Sequence, residues 1–220
     1  MIHGVLFDYS GTLFRFEPGP GWPSVSVDEA ARERLTHVLT HPTMSGDHLP
    51  PDLHDAWARR DLDPEVHRTV YLAMLASSGV DLTEEESAAV YTSLTDPDAW
   101  HPYPDTVNVL KGLRAAGIPV AVVSNIAWDI RNVFRRYGLE DLVTEFVLSY
   151  VEGVVKPDPK IFRIACQRLD VAPERARMVG DSAEADGGAT AVGADFVLVE
   201  PLPTERRPSA LRQSVSELLP

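Results

Sequence analysis

Val5-Leu6-Phe7 is the feature that most narrows the choice of fold. Three consecutive large apolar residues between Gly4 and Asp8 suit a short strand buried on both faces, and such a strand needs neighbours to complete its hydrogen bonding. Runs of the same kind return only in the second half of the chain, at Ile118–Val123, Glu145–Leu148, Arg177–Val179 and Phe196–Val199. Helical patterns separate them. Ile130, Val133, Phe134 and Tyr137 share a face closed by Gly138, and Asp158-Pro159 supplies an N-cap and first-turn residue for another helix. Strands alternating with helices from about Pro102 to Glu200 predict βαβ units, hence an α/β fold with a Rossmann-like parallel sheet between helical layers.

Residues 17–98 read differently. Helical patterns cover Glu29–Leu39, Leu53–Arg60, Glu65–Ala76 and Glu84–Leu94, with almost no β-rich runs. Pro18-Gly19-Pro20-Gly21 on one side, and Asp96-Pro97 with His101-Pro102-Tyr103-Pro104 on the other, read as turn-rich hinges. The expected organisation is a core of residues 1–16 and 99–220 with a helical insertion over 17–98. The tail from Pro201 begins as a proline-rich loop and is expected to end in a short helix at Ser209–Leu219.

Charge excludes two classes of partner. With 20 Lys+Arg against 33 Asp+Glu the formal net charge is −13, the wrong sign for nucleic acid or an anionic membrane surface. Most of it belongs to the insertion, where 16 acidic residues face 5 basic ones, while the remainder has 17 and 15. No apolar stretch approaches the roughly 20 residues that span a bilayer, and no signal-peptide pattern opens the chain, so a cytoplasmic location is expected. Cys166 is the single cysteine, spaced helically with Ile161, Phe162, Ala165 and Leu169. It reads as a small buried hydrophobe.

In an open parallel sheet, reactive groups gather beyond the carboxyl ends of the strands. Asp8-Tyr9-Ser10-Gly11-Thr12 follows the first strand, Ser124-Asn125 the second, and Gly180-Asp181 a later one, with Asp186 close behind and Lys156 ahead of the helix at Pro159. Carboxylates, hydroxyls and one ammonium at converging strand ends suit phosphoryl transfer assisted by a metal. Asp8 is the nucleophile in this reading. Asp8 and Asp181 offer hard oxygen ligands for Mg²⁺, and Asp186 braces them. Lys156 neutralises the transferring oxygens, while Ser124, Thr12 and backbone N–H groups at Gly11 and Asn125 donate to the phosphoryl group. Lys156 is one of only three lysines beside seventeen arginines. Asp181 is equally suited to capping a helix at Ser182, and Asp186 to a solvated helix face.

These four elements, in this order, resemble the haloacid dehalogenase-like superfamily of hydrolases. The resemblance implies a Rossmann-like core with a helical cap inserted after the first motif, a Mg²⁺ cofactor and a small phosphorylated substrate. It also implies that the backbone carbonyl of Ser10 binds the metal. One departure stands out: most phosphatases of the superfamily have an Asp, acting as general acid and base, where this chain has Ser10. A serine hydroxyl cannot do that work near pH 7, and the loss of such a group typically costs about 10²–10⁴ in rate. The resemblance therefore leaves room for a 2-haloacid dehalogenase, which also lacks that Asp and needs no metal, or for a phospho-ligand binder with impaired catalysis.

The insertion holds His37, His41, His48, His54 and His67 as candidates to replace the missing acid. His37 and His41 stand four apart, but Pro42 ends the helix and no third metal ligand is assignable. Arg15, Arg59, Arg60 and Trp57 are candidates for gripping substrate and are equally suited to ion pairs and packing.

Overall fold

The computed structural model describes residues 1–19, 21–23, 26–40, 49 and 53–220. In chain order the strands are β1 (Gly4–Phe7), β2 (Phe14–Phe16), β3 (Trp100–Pro102), β4 (Val120–Ser124), β5 (Glu145–Leu148), β6 (Ala176–Gly180) and β7 (Asp195–Leu198). The α-helices are α1 (Glu29–Thr40), α2 (His54–Arg59), α3 (Pro64–Ala76), α4 (Glu84–Thr92), α5 (Thr106–Ala115), α6 (Arg131–Arg136), α7 (Ser149–Glu152), α8 (Pro159–Arg168) and α9 (Ala210–Ser214).

β1 takes the centre of a five-stranded sheet ordered β5-β4-β1-β6-β7, and every pairing is parallel. Its period-2 pleat sends Val5 and Phe7 into one hydrophobic cluster with Val109, Leu110 and Leu113 of α5. Leu6 points the other way, to Ile161, Phe162 and Cys166 of α8. Both faces of the central strand are thus covered, as its unbroken apolar run requires. Cys166 is buried, and that burial raises its thiol to about 11. It packs as a small hydrophobe. Asp158 caps α8 by accepting from the Lys160 N–H at 2.8 Å, with Pro159 in the first turn.

The hinges are more ordered than their Gly and Pro content predicts. Pro20 lies outside the described residues. His101-Pro102 belongs to β3, which pairs antiparallel with β2 so that Phe14 faces Pro102 and Phe16 faces Trp100. Pro102 is tolerated because it closes the end of a two-stranded ribbon, where one missing N–H breaks no sheet. Helices α1 to α4 lie between the two ribbon strands. Among the described residues, no helix is long and apolar enough to cross a membrane.

The insertion has its own buried polar centre. His67 of α3 is 1% exposed, its Nδ1 is 2.9 Å from the Tyr91 hydroxyl of α4, and its ring stacks on Tyr71 at 4.0 Å. Trp128, from the loop after β4, meets the same ring edge-on at 5.2 Å and ties the insertion to the sheet. Burial, helped by the Arg60 charge, pushes the His67 pKa down to about 3. The unfolded chain therefore binds a proton near the ordinary 6.5 that the folded state refuses until about 3, and stability is lost as pH falls through that window. The slope reaches about 1.4 kcal/mol per pH unit. We expect His67→Gln to lower the urea midpoint at about pH 7 by more than it lowers the midpoint at about pH 4.5; equal changes at the two pH values would contradict a buried neutral imidazole.

Candidate active site

The sheet delivers the predicted residues to one end. Asp8 leaves β1, and its N–H donates to the Val179 carbonyl of β6 at 3.0 Å. Ser124 is the last residue of β4, Asp181 follows β6, and Asp186 opens a 3₁₀ turn over Asp186–Val192. Lys156 reaches them from the turn between α7 and α8. Its Nζ lies 2.6 Å from Asp8 Oδ1 and 2.6 Å from Asp186 Oδ1, with all three residues buried.

Two glycines make this proximity possible. A Cβ on Gly11, whose φ is +75°, would sit 2.2 Å from Asp181 Oδ2, and one on Gly180 would sit 2.1 Å from Asp186 Oδ2. Any side chain at either position would push a carboxylate out of the cluster. Asp186 is completely buried: Oδ1 meets Lys156, and Oδ2 accepts from the Ser182 N–H at 2.9 Å. That excludes the solvated-helix alternative. Ser182, whose Oγ accepts from the Ala185 N–H, caps the turn instead of Asp181.

Oxygens of Asp8, Asp181 and Asp186 all lie within 4.8 Å of one another. One ammonium does not balance three carboxylates. Burial, together with the Asp8 and Asp186 charges, raises Asp181 to about 8 against an attraction to Lys156. Burial and Asp186 raise Asp8 to about 6, although Lys156 opposes them. Burial also works against the charge on Lys156, but Asp186 and Asp8 override it and hold the ammonium protonated above its ordinary range.

A cavity of about 550 Å³ opens over these groups. Asp8, Ser10, Ser124, Asn125, Lys156, Asp181 and Asp186 line its floor. One predicted residue is oriented otherwise. Thr12 is fully buried, does not line the cavity, and its hydroxyl has no partner among the described residues. The Asn125 side chain clamps the Lys156 backbone, donating to its carbonyl at 2.9 Å and accepting from its N–H at 2.7 Å. Asn125 thereby positions the lysine.

The insertion contributes Thr40, Arg60, Asp61, His67 and Tyr71 to the same lining. Among the described residues, His67 is the one histidine lining the cavity, held neutral and engaged with Tyr91. His54 is exposed, and His41 and His48 lie outside the described residues, so the paired site at His37 and His41 does too. Of the cationic candidates only Arg60 lines the cavity, with its guanidinium 3.8 Å from the Trp57 ring. Arg59 is exposed, and Arg15 is engaged by Glu17 and the Pro201 carbonyl.

Sequence reasoning missed Arg207, in the tail read as a proline-rich loop. It is 3% exposed, donates to the Gly11 carbonyl at 2.6 Å and to the Thr12 carbonyl, and lies 3.2 Å from the Tyr103 ring centroid. No local pattern in Pro201-to-Pro220 signals this, because the partners lie at the other end of the chain.

The model for haloacid dehalogenase-like hydrolases matches residues 2–193. The chain belongs to that family. This hydrolase is 32% identical over 195 residues to glyceraldehyde 3-phosphate phosphatase of Methanopyrus kandleri, covering 84% of this chain and 78% of that protein. It is 35% identical over 106 residues to (S)-2-haloacid dehalogenase 1 of Pseudomonas sp. strain CBS-3, covering 46% and 47% respectively. Among solved structures, L-2-haloacid dehalogenase from Xanthobacter autotrophicus with chloropropionic acid covalently bound is 25% identical, with a TM-score of 0.67 over 100% of this chain and 85% of that one. Phosphatases and dehalogenases both stand among the similar proteins.

Arg207 gives the hydrolase a measurable dependence on its tail. Lysine retains the charge but cannot reach two carbonyls with one planar fork. We expect Arg207→Lys to lose about 1.5–3 kcal/mol in urea unfolding, with turnover falling as the Gly11 turn loosens; wild-type stability in this variant would contradict the clamp.

Proposed function

We propose that this hydrolase releases phosphate from a small phosphorylated metabolite, with Mg²⁺ bound and Asp8 accepting the phosphoryl group. The observation that carries the reading is the charge imbalance at the sheet end. Among the described residues Asp181 has no lysine or arginine at ion-pair distance, while its oxygens share a 4.8 Å cluster with those of Asp8 and Asp186. Hard, clustered carboxylate oxygens fit Mg²⁺. Asp8, Asp181 and the Ser10 backbone carbonyl would hold the ion, with Asp186 bracing them. When bound it supplies positive charge against the repulsion between Asp8 and a phosphate ester.

The chain's own residues then divide the work. An oxygen of Asp8 attacks phosphorus and forms an acyl phosphate as the ester oxygen departs; water later attacks the same phosphorus and regenerates Asp8. Lys156 keeps Asp8 ionised and faces the transferring oxygens, and Ser124 donates to them. The segment 17–98 acts as a cap over a core of 1–16 and 99–220. Support comes from the cavity, whose lining the insertion shares.

A second reading, carbon–halogen hydrolysis through an ester on Asp8, draws support from Ser10 and from Lys156, which bridges two of the three carboxylates without a metal. A panel of phosphate esters, acyl phosphates and 2-haloacids, each assayed with Mg²⁺ and with excess chelator, separates the two. We expect turnover of phosphorylated substrates only with the metal, abolished by Asp8→Asn. Chelator-resistant turnover of haloacids, with phosphate esters untouched, would replace the first reading by the second.

A further inference from the structure

Ser10 leaves the leaving-group oxygen without the usual proton donor, and the cavity that Asp8 shares with the insertion offers a replacement. Among the described residues lining that cavity, the ionisable side chains from the insertion are Arg60, Asp61, His67 and Tyr71. Arg60 carries a permanent charge that it does not surrender. His67 is held neutral by burial, with its pKa near 3, and its Nδ1 faces Tyr91. Tyr71 is buried and lies well above the range in which a phenol gives up its proton near neutrality. Asp61 remains.

Asp61 is held as a working group would be. It belongs to the 3₁₀ turn Arg60–Leu62, and its backbone carbonyl accepts a 2.5 Å hydrogen bond from Ser149 Oγ at the start of α7. The same Oγ accepts from the Ile126 N–H at 2.8 Å, next to the Ser124-Asn125 strand end. One hydroxyl therefore fixes the Asp61 backbone to the core beside the phosphoryl-binding residues. The Asp61 side chain is 12% exposed, opens on the shared cavity, and touches one cation, Arg60 at 3.4 Å.

Resting on the phosphatase reading above, we propose that Asp61 is the general acid and base of this enzyme, taking the work that Ser10 cannot do. In the first step an Asp8 oxygen bonds to phosphorus while the P–O bond to the ester oxygen breaks. The bonding pair leaves on that oxygen, which takes the Asp61 proton and departs as an alcohol. In the second step a water oxygen bonds to the same phosphorus, its proton passes to the Asp61 carboxylate, and the P–O bond to Asp8 breaks. Free Asp8 carboxylate, inorganic phosphate and protonated Asp61 remain. Burial raises the Asp61 pKa against the pull of Arg60 and Lys156.

The groups around Asp61 are few. Arg60 precedes it, Tyr71 and His67 face it from α3, and Lys156 acts from the core. On α7, Glu152 is turned away to Arg168 at 2.9 Å. On α2, Asp55 and Arg59 are exposed. Glu184, at the cavity rim, is an exposed competitor and the natural control.

Leaving-group chemistry tests the assignment. With Mg²⁺ present, pre-steady-state release of the alcohol is compared for an alkyl phosphate, whose leaving group needs a proton, and 4-nitrophenyl phosphate, whose leaving group does not. We expect Asp61→Asn to slow the alkyl burst by about 10²–10³ and the nitrophenyl burst by less than about tenfold. Asp61→Glu should recover most of the loss, and Glu184→Gln should leave the ratio of the two bursts unchanged. Equal effects on both esters, or a selective loss in Glu184→Gln instead, would overturn the proposal. Should Asp61→Asn fail to fold, the wild type still decides. The alkyl-to-nitrophenyl burst ratio must fall as pH rises through the titration of one acid, because ionisation of Asp8 affects both esters alike; a flat ratio refutes the assignment. If the wild type turns over neither ester, the phosphatase reading fails and the proposal falls with it. Nitrophenyl turnover with unaltered selectivity in Asp61→Asn refutes the proposal alone.

Discussion

The ammonium of Lys156, bonded at 2.6 Å to both Asp8 and Asp186, is the interaction on which the rest of the site depends. Three carboxylates within a few ångströms of one another repel strongly in a low-dielectric setting. A single compact cation between two of them lets Asp8 be buried and still carry charge. Arginine would bring a wider, planar group with fixed donor directions. Asn125 spends its whole side chain on holding the Lys156 backbone, so the cation's position is fixed from the neighbouring strand end.

Around that bridge, close approach is bought with missing atoms and distant contacts. Gly11 and Gly180 give up their side chains so that Asp181 and Asp186 can lie against the backbone. Arg207 then reaches from the C-terminal tail to the carbonyls of Gly11 and Thr12, stabilising a turn whose φ of +75° only glycine adopts freely. From the other side, Ser149 ties the insertion to the core through the Asp61 carbonyl. This end of the sheet is therefore held jointly by strand ends, the tail and the inserted helices.

Much of this was legible in the sequence, for reasons that can be stated. Val5-Leu6-Phe7 and the later apolar runs announce strands because a parallel sheet buries both faces, and chemistry at strand ends follows from that topology. Asp8, Lys156, Asp181 and Asp186 come together as that logic requires. The ribbon of β2 and β3 was not legible: its strands are three residues each, and Pro102 reads as a breaker until its partner is known. Thr12 reads from its position as a donor to the phosphoryl group, whereas the structure buries it away from the cavity; the Asn125 side chain's hold on Lys156 has no local signal in the sequence. Asp61, His67 and Arg207 owe their environments to residues far away in the chain, and no local pattern encodes that.

The most direct test of the account is the Mg²⁺-dependent shift in Tm at two pH values. Asp8, raised to about 6, and Asp181, raised to about 8, hold protons in the folded state that the unfolded chain releases near 3.8. Without metal, the contribution of these two carboxyls to stability should therefore decline as pH rises from about 4 through about 8, against the opposite contribution of His67. A cation bound by the same oxygens competes with those protons and offsets the repulsion. The account predicts a Mg²⁺-induced rise in Tm that is clearly larger at pH 8.5 than at pH 5.5 and is lost in Asp181→Asn. A shift of equal size at both pH values, or one that survives Asp181→Asn, would contradict it.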